Sequence, residues 1–345
     1  MPLPISLLLP TRDSMRFLPD HIECVKPLLP LVEEVIHVDS RSKDGTVEYV
    51  QQNLKHPNYR YFDHPPGLYQ SWNFGIQQAR SKFLYVSTVG DTMLPQGLQR
   101  LHESAERLDA DAMVSIPEFK FCDGKPEPIR WPVHVMIEEL RLKHPMVIPP
   151  AVNYTYAMRL IPQAILNSSA SNLYRTEFMQ ARPFPTDFGT AGDTAWSVAH
   201  ALEMKFAIIP ETFSTFVFHE KTYSLKEYEV LNMAARMTRV GAEAGKRANY
   251  ARPHMWQDKL EPYLDTLRAL QESTNELHLW RQRYSAGWLF IPSAWKTRAL
   301  RNQHRKMAAE QFQQLLVQLS TETPNMGSAV IGSAAEPRLL MSARA

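Results

Sequence analysis

Residues 33–50 read EEVIHVDSRSKDGTVEYV, and this stretch decides the fold. Residues 35–38 predict a buried strand that stops at Asp39. A cap-like Asp44 then opens a helical pattern, so the stretch is a strand, a turn and a helix. The same unit recurs on both sides. Residues 5–9 are a continuous apolar run closed by Pro10, which predicts a strand buried on both faces, and 16–29 carry apolar residues at helical spacing. Further along, 59–62 is a short strand and 68–79 a helix with Leu68, Trp72, Gly75, Ile76 and Ala79 on one side. Residues 83–87 are another strand, Pro95 starts a helix that runs to Leu108, and 112–116 is a fifth strand. Strands alternating with helices imply a parallel sheet, whose ligands sit outside the carboxyl ends of the strands. Pro10–Asp13, Asp39–Ser42 and Ser87–Asp91 are therefore expected around one crevice.

The rest of the chain is less regular. Residues 117–150 read as a proline-rich, irregular excursion with one short helix. Strands are predicted at 172–174, 206–209 and 212–218, and helices at 192–203, 225–243, 256–271 and 303–319. The expected division is an α/β domain over 1–220, a helical region over 221–319 and a disordered tail over 320–345. The first divides at residue 116 into two halves, 1–116 and 117–220.

Composition limits the function classes. The chain has 345 residues, of which 44% are hydrophobic and 21% charged, as in an ordinary globular protein. A net charge of +2 gives no reason to expect nucleic acid as a partner. Cys24 and Cys122 have no short-spaced partners, which excludes a disulfide scaffold and a cysteine zinc site. The opening run is too short to span a bilayer and lacks the basic start of a signal peptide, so the expected location is the cytoplasm, free or at the inner membrane face.

A nucleotide needs a base pocket, a place for the ribose and neutralisation of its diphosphate. Asp39, ending a buried strand, can accept from a base N–H or a ribose hydroxyl, although an aspartate after a strand is also a common loop cap. Arg12, Arg41 and Lys43 lie close enough in sequence to supply positive charge.

Three segments together resemble family 2 glycosyltransferases. ISLLLPTRDSMRFLPDHI (5–22) is similar to their opening strand and loop. EEVIHVDSRSKDGTVEYV is similar to their second strand, which usually ends Val-Asp-Asp-Gly-Ser before an Asp-Gly-Thr. GLYQSWNFGIQQARSKFLYVSTVGDTMLP (67–95) has their Asn-x-Gly helix, strand and acidic turn closed by Leu-Pro. The resemblance implies a GT-A fold: an open, mostly parallel α/β sheet flanked by helices, here with a helical C-terminal extension. It also implies a nucleotide-sugar donor of UDP type and a divalent cation, Mn²⁺ or Mg²⁺. Carried over, Pro10, Thr11 and Asp13 line the nucleotide pocket, Asp39 contacts the base, Asn73 lies near the donor, and Asp91 sits at the acidic turn as a donor and metal contact. This turn reads Thr88-Val89-Gly90-Asp91 and keeps one carboxylate where family members usually have more. A hard cation can still use one carboxylate together with diphosphate oxygens. The alternative is a metal-free site with Arg or Lys at the diphosphate. His219, after the strand 212–218, is the second metal candidate.

NSSASNLYRTEFMQARPFPTDFGTAGDTAWSVAHAL (167–202) resembles the family's acceptor region, where a Glu-Asp pair opens a helix. Here the pair is Gly192-Asp193. The resemblance makes Asp193 the general base of an inverting transfer to a carbohydrate or lipid-linked acceptor, with Asp187 in reserve. As a plain helix cap Asp193 would need no catalytic role. Trp72 and Trp196 fit either the core or stacking on a sugar. Residues 280–306 carry seven basic residues, three tryptophans and a phenylalanine but no acidic residue, which suits an anionic membrane surface, an acidic partner, single-stranded nucleic acid, self-association into a homo-oligomer or a solvated face. The competing function is a catalytically inactive nucleotide-sugar-binding protein descended from such an enzyme, favoured by the missing carboxylates. A nucleotidyltransferase would show a glycine-rich loop after the first strand, and PTRDSMRFLP has no glycine.

Overall fold

The computed structural model describes residues 1–121, 130–218, 227–249, 261–284 and 291–322. These fall into two compact units. The first takes Met1–Pro150, Gln163–Ser197 and Glu203–Ser224. The second takes Ala151–Pro162, Val198–Leu202 and Leu225–Ala345. The second unit thus draws two short segments from mid-chain, which a single division at residue 220 does not foresee.

The first unit is built on one nine-stranded sheet. Its strands are β1 (Leu3–Thr11), β2 (Val32–Asp39), β3 (Tyr59–Asp63), β4 (Phe83–Val86), β5 (Thr92–Met93), β6 (Ala112–Phe121), β7 (Met146–Val147), β8 (Asn172–Arg175) and β9 (Phe206–Phe218). The order is β3-β2-β1-β4-β8-β6-β9-β5, with β7 pairing on β9. β1, β2, β3, β4, β6 and β9 run one way, whereas β5, β7 and β8 run against them. The chain is therefore an open, mostly parallel α/β sheet flanked by helices, with C-terminal helices in addition.

Burial explains the central strands. Ile5, Leu7, Leu8 and Leu9 are fully buried, because β1 is covered on both faces. One face meets α1 (Leu18–Val25) and α4 (Pro95–Leu108), so Leu7 and Leu9 join Leu18, Ile22, Leu98 and Leu101 in one core. α2 (Thr46–Asn53) adds Val50 to it. The other face carries α3 (Leu68–Gln78), where a Cβ on Gly75 would lie 2.4 Å from Leu8 Cδ1 and 3.0 Å from Val38 Cγ2. Only glycine lets this helix lie so close to β1 and β2.

Four expectations change. Leu68 is 46% exposed rather than on the buried side of α3, where it is the first residue of the helix. The strand predicted at 112–116 continues to Phe121, paired with β9 beyond two register shifts. The two strands predicted at 206–209 and 212–218 are one strand, since β9 passes through Pro210 and Glu211 without a break. The excursion after β6 holds α5 (Pro132–Glu139), β7 and the start of α6 (Pro150–Arg159) rather than a single short helix.

The remaining helices are α7 (Thr176–Ala181), α8 (Gly192–His200), α9 (Glu227–Asn249), α10 (Glu261–Tyr284) and α11 (Pro292–Glu322). Within the second unit, Tyr154 Oη donates to the Gly241 carbonyl at 2.7 Å, and Phe312 packs edge-on to Tyr156 with centroids 5.0 Å apart. The tail expected to be disordered lies outside the described residues beyond Glu322.

Candidate active site

The carboxyl ends of β1 and β2 meet in register, with Thr11 opposite Asp39. Asp39 is 1% exposed, and its carboxylate accepts three hydrogen bonds. Thr11 Oγ1 donates to Oδ1 at 2.6 Å, Ser42 Oγ to the same oxygen at 2.6 Å, and the Ser42 N–H to Oδ2 at 2.7 Å. Asp39 thus shapes the 39–42 turn, as a loop cap would, at the carboxyl end of β2. Asp13, at φ 42°, closes the turn from the other side: its N–H donates to Ser42 Oγ at 2.8 Å and its Oδ1 accepts from the Lys43 N–H at 2.8 Å. Pro10, Thr11, Asp13 and Asp39 are therefore brought together. Arg12, Arg41 and Lys43 stand exposed beside them, with Arg41 3.6 Å from Asp63.

Behind Asp39 runs a buried chain of hydrogen bonds. Thr11 spends its one proton on Asp39, so its oxygen must accept from His37 Nε2, 2.8 Å away. Burial pushes His37 down to about 4, which keeps the ring neutral. A neutral ring with its proton on Nε2 accepts at Nδ1, from Tyr59 Oη at 2.7 Å. The donors thus all point toward Asp39: Tyr59 to His37, His37 to Thr11, Thr11 to Asp39. The sequence carries one sign of this, the ionisable His37 inside the buried run 35–38.

Asp91 follows β4 and is 6% exposed. Ser168 Oγ donates to Oδ2 at 2.8 Å and the Val217 N–H donates to Oδ1 at 3.1 Å. Burial dominates and pushes the carboxyl up to about 7, against the two hydrogen bonds. His21 on α1 ties both ends of the acidic turn. Its Nδ1 lies 3.0 Å from the Asp91 carbonyl and its Nε2 lies 3.1 Å from Ser87 Oγ. Burial lowers His21 to about 4, so it serves as a neutral strut. Neither His21 nor Ser168 was singled out in the sequence, because each meets Asp91 only through the fold.

Among the described residues no group of three His, Cys, Asp or Glu is placed to hold a metal. His219 lies outside the described residues. The described protein groups therefore offer a cation one carboxylate, Asp91. That fits Mg²⁺ or Mn²⁺ held largely by diphosphate oxygens and does not fit an all-protein cage.

Asp193 opens α8, partly exposed. Its Oδ1 accepts from the Thr194 N–H at 2.7 Å. Burial pushes its carboxyl up to about 6, opposed by this N–H and by the Tyr69 hydroxyl. Tyr69 is in the first turn of α3, and its hydroxyl donates to the Thr190 carbonyl at 3.1 Å. Its ring explains Gly192: a Cβ there would lie 2.6 Å from the ring and 2.7 Å from the Pro185 carbonyl. No glutamate fits where the family usually has one. Asn73 anchors the same loop, accepting from the Phe184 N–H at 2.9 Å and donating to the Phe184 carbonyl at 2.8 Å. Its amide is thus engaged with backbone. Asp187 is exposed on the loop before α8. Trp72 and Trp196 are buried with Tyr69 and Phe184 in one aromatic cluster, so neither offers a face to a sugar.

Residues 6–172 match the family model described as Glycosyl transferase family 2. Among solved structures, S. aureus TarS 1–349 in complex with UDP-GlcNAc is similar with a TM-score of 0.53 at 15% identity, over 91% of this chain and 92% of that one. The complex of the same protein with UDP gives a TM-score of 0.50 at 15% identity over the same shares, 91% and 92%. At such identity the likeness concerns the fold. No curated protein matches the chain in sequence.

Proposed function

Residues 6–172 belong to glycosyl transferase family 2, and on that premise we propose that the chain moves a sugar from a UDP-type donor to a carbohydrate or lipid-linked acceptor with inversion, using Asp193 as general base. The observation that carries the reading is the Asp193 carboxyl, partly exposed at the start of α8 and raised by burial to about 6. A base of that strength holds little proton at neutral pH yet takes one readily in the transition state.

The acceptor hydroxyl gives its proton to Asp193 as its oxygen attacks the anomeric carbon. The bond from that carbon to the diphosphate oxygen breaks on the opposite face, and the nucleoside diphosphate leaves. Thr11, Asp13 and Asp39 form the nucleotide end of the crevice, and Asp91 the diphosphate end. A divalent cation bound by Asp91, with His219 as the second candidate ligand, would neutralise charge on the leaving diphosphate. The UDP and UDP-GlcNAc seen in the TarS structures support a uridine donor, since that fold is the one this chain shares. No helix among the described residues is long and apolar enough to cross a membrane.

Thermal shift against a set of nucleotide-sugars with Mn²⁺, followed by hydrolysis and transfer assays with those that bind, identifies the donor. Asp193→Asn should then keep donor affinity and lose transfer by roughly 10²–10⁴-fold. Full activity in that variant would remove Asp193 from the mechanism. Tight donor binding by the native protein with neither hydrolysis nor transfer would instead favour a binding protein that has lost catalysis, the reading that the single carboxylates at Asp91 and Asp193 also suit.

A further inference from the structure

We propose that the linked ends of α10 and α11 form a docking surface for an anionic lipid bilayer, a role that goes beyond sugar transfer. The first observation is where apolar surface is exposed. Nine large hydrophobic residues are exposed among the described residues, and five of them lie between 279 and 307. They are Leu279 at 62%, Tyr284 at 44%, Trp295 at 66%, Leu300 at 46% and Met307 at 40%. α10 ends at Tyr284 and α11 begins at Pro292, and the two helices pack on each other. Leu279, Tyr284, Trp295 and Leu300 therefore gather at one end of a helical pair.

Charge is the second observation. From 277 to 309 the sequence has no acidic residue, while Arg281, Arg283, Lys296, Arg298, Arg301, Arg305 and Lys306 are all basic. Arg281, Lys296, Arg298 and Lys306 are exposed and form no ion pair with a described residue. Arg301 is lowered by its burial and by the neighbouring charges of Arg298 and Arg305, so like charges stand close together here. Elsewhere in the chain the basic residues are often paired, as Arg60 is with Glu34 and Arg175 with Asp109 and Asp111.

Unpaired cations beside exposed Trp, Tyr, Leu and Met match an interface where phosphate headgroups lie over acyl chains. The aliphatic members decide against nucleic acid. Bases stack on aromatic rings, and Leu279 and Leu300 give them no platform, whereas acyl chains accept all four gathered side chains.

The test is flotation of the full chain with vesicles of phosphatidylcholine alone and of phosphatidylcholine with 30 mol% phosphatidylglycerol. Binding is expected only to the anionic vesicles and should weaken strongly between 50 and 500 mM salt, where screening shortens the reach of each charge. Lys296→Glu with Arg298→Glu should cut the partition coefficient by more than tenfold, since each cation near such a surface is worth about fivefold. Trp295→Ser with Leu300→Ser should weaken binding at every salt concentration. Far-UV circular dichroism confirms that each variant keeps its helices. The proposal falls if the native chain ignores anionic vesicles, if it binds neutral and anionic vesicles alike, or if folded variants of both kinds bind as the native chain does. It also falls if a single-stranded oligonucleotide binds more tightly at the same salt, or if the patch is shown by light scattering to be covered in a lipid-free oligomer that the same substitutions dissociate. Donor binding and hydrolysis are read in parallel, so failure here leaves the transferase reading standing.

Discussion

Asp91 carries a carboxyl that burial raises from 3.8 to about 7, and this ties the site to stability. Between those two values the native protein holds a proton that the unfolded chain has already lost. Unfolding therefore releases a proton, and stability falls as pH rises from about 4 to about 7. The loss is on the order of a few kcal/mol. Asp91→Asn keeps the shape and removes the charge, so it should be close to neutral in stability at about pH 3.5, below the unfolded value, and stabilising at about pH 8. Urea midpoints of both proteins at the two values measure the difference directly. An equal effect at both would show that Asp91 is not held protonated. His21 and His37 work in the opposite sense: both are lowered to about 4 by burial, so their contribution is lost as pH falls from 6.5 toward 4. Comparing native and variant at each pH cancels these two. Little of this was legible beforehand. Asp39, Asp91 and Asp193 stood out because each closes a local pattern, a strand end, a turn or a helix start. Thr11, the partner of Asp39, is marked by the resemblance of the first loop, whereas Ser168 and Tyr69 lie 77 and 124 positions from Asp91 and Asp193, and nothing local marks them.

At the scale of elements, two motifs prove to be packing devices as well as site markers. Asn73 and Gly75 lie on α3, where one clamps the Phe184 backbone and the other admits Leu8. Gly192 opens α8 against the Tyr69 ring and the Pro185 carbonyl. Gly192→Ala would press its Cβ on both, and one of the two is backbone, which yields least. Overpacking of this kind costs about 1–3 kcal/mol. The variant should melt a few degrees lower and, by displacing Asp193, lose transfer while holding donor affinity. Unchanged transfer alongside the lower melting point would mean that the start of α8 does not position the base. The helices and strands themselves were legible where burial writes a pattern. β1 reads as an apolar run because both its faces are covered, and α4 shows its Pro95 start. β8 was found, but not its antiparallel place between β4 and β6, since four residues carry no sign of direction. β9 was read as two strands because Pro210 and Glu211 interrupt its apolar residues.

For the whole molecule, the question is how a crevice with so few carboxylates neutralises a diphosphate. Two answers make different demands on the chain. In one, a divalent cation bridges Asp91 and the phosphates. In the other, the exposed Arg12, Arg41 and Lys43 at the mouth of the crevice supply the charge directly. The geometry favours the cation: Asp91 is aimed by Ser168 and the Val217 N–H and is braced from behind by His21, whereas the three cations stand in water, where a pair is worth little. A buried carboxyl raised to about 7 is also poised to exchange its proton for a metal ion, since the ion's charge compensates the burial that raised it. Ligand linkage converts this into a melting measurement. A ligand at 100 times its dissociation constant stabilises the native state by about 2.7 kcal/mol, and one that cannot bind does nothing. UDP with Mn²⁺ should therefore raise the melting temperature by several degrees, and EDTA should abolish most of the rise. Asp91→Asn should lose the Mn²⁺-dependent part alone. If UDP stabilises the native chain equally in EDTA, the cation has no part in holding the diphosphate. The residual binding should then disappear with Arg12→Ala and Lys43→Ala, which would move the charge of the site from Asp91 to the loops after β1 and β2.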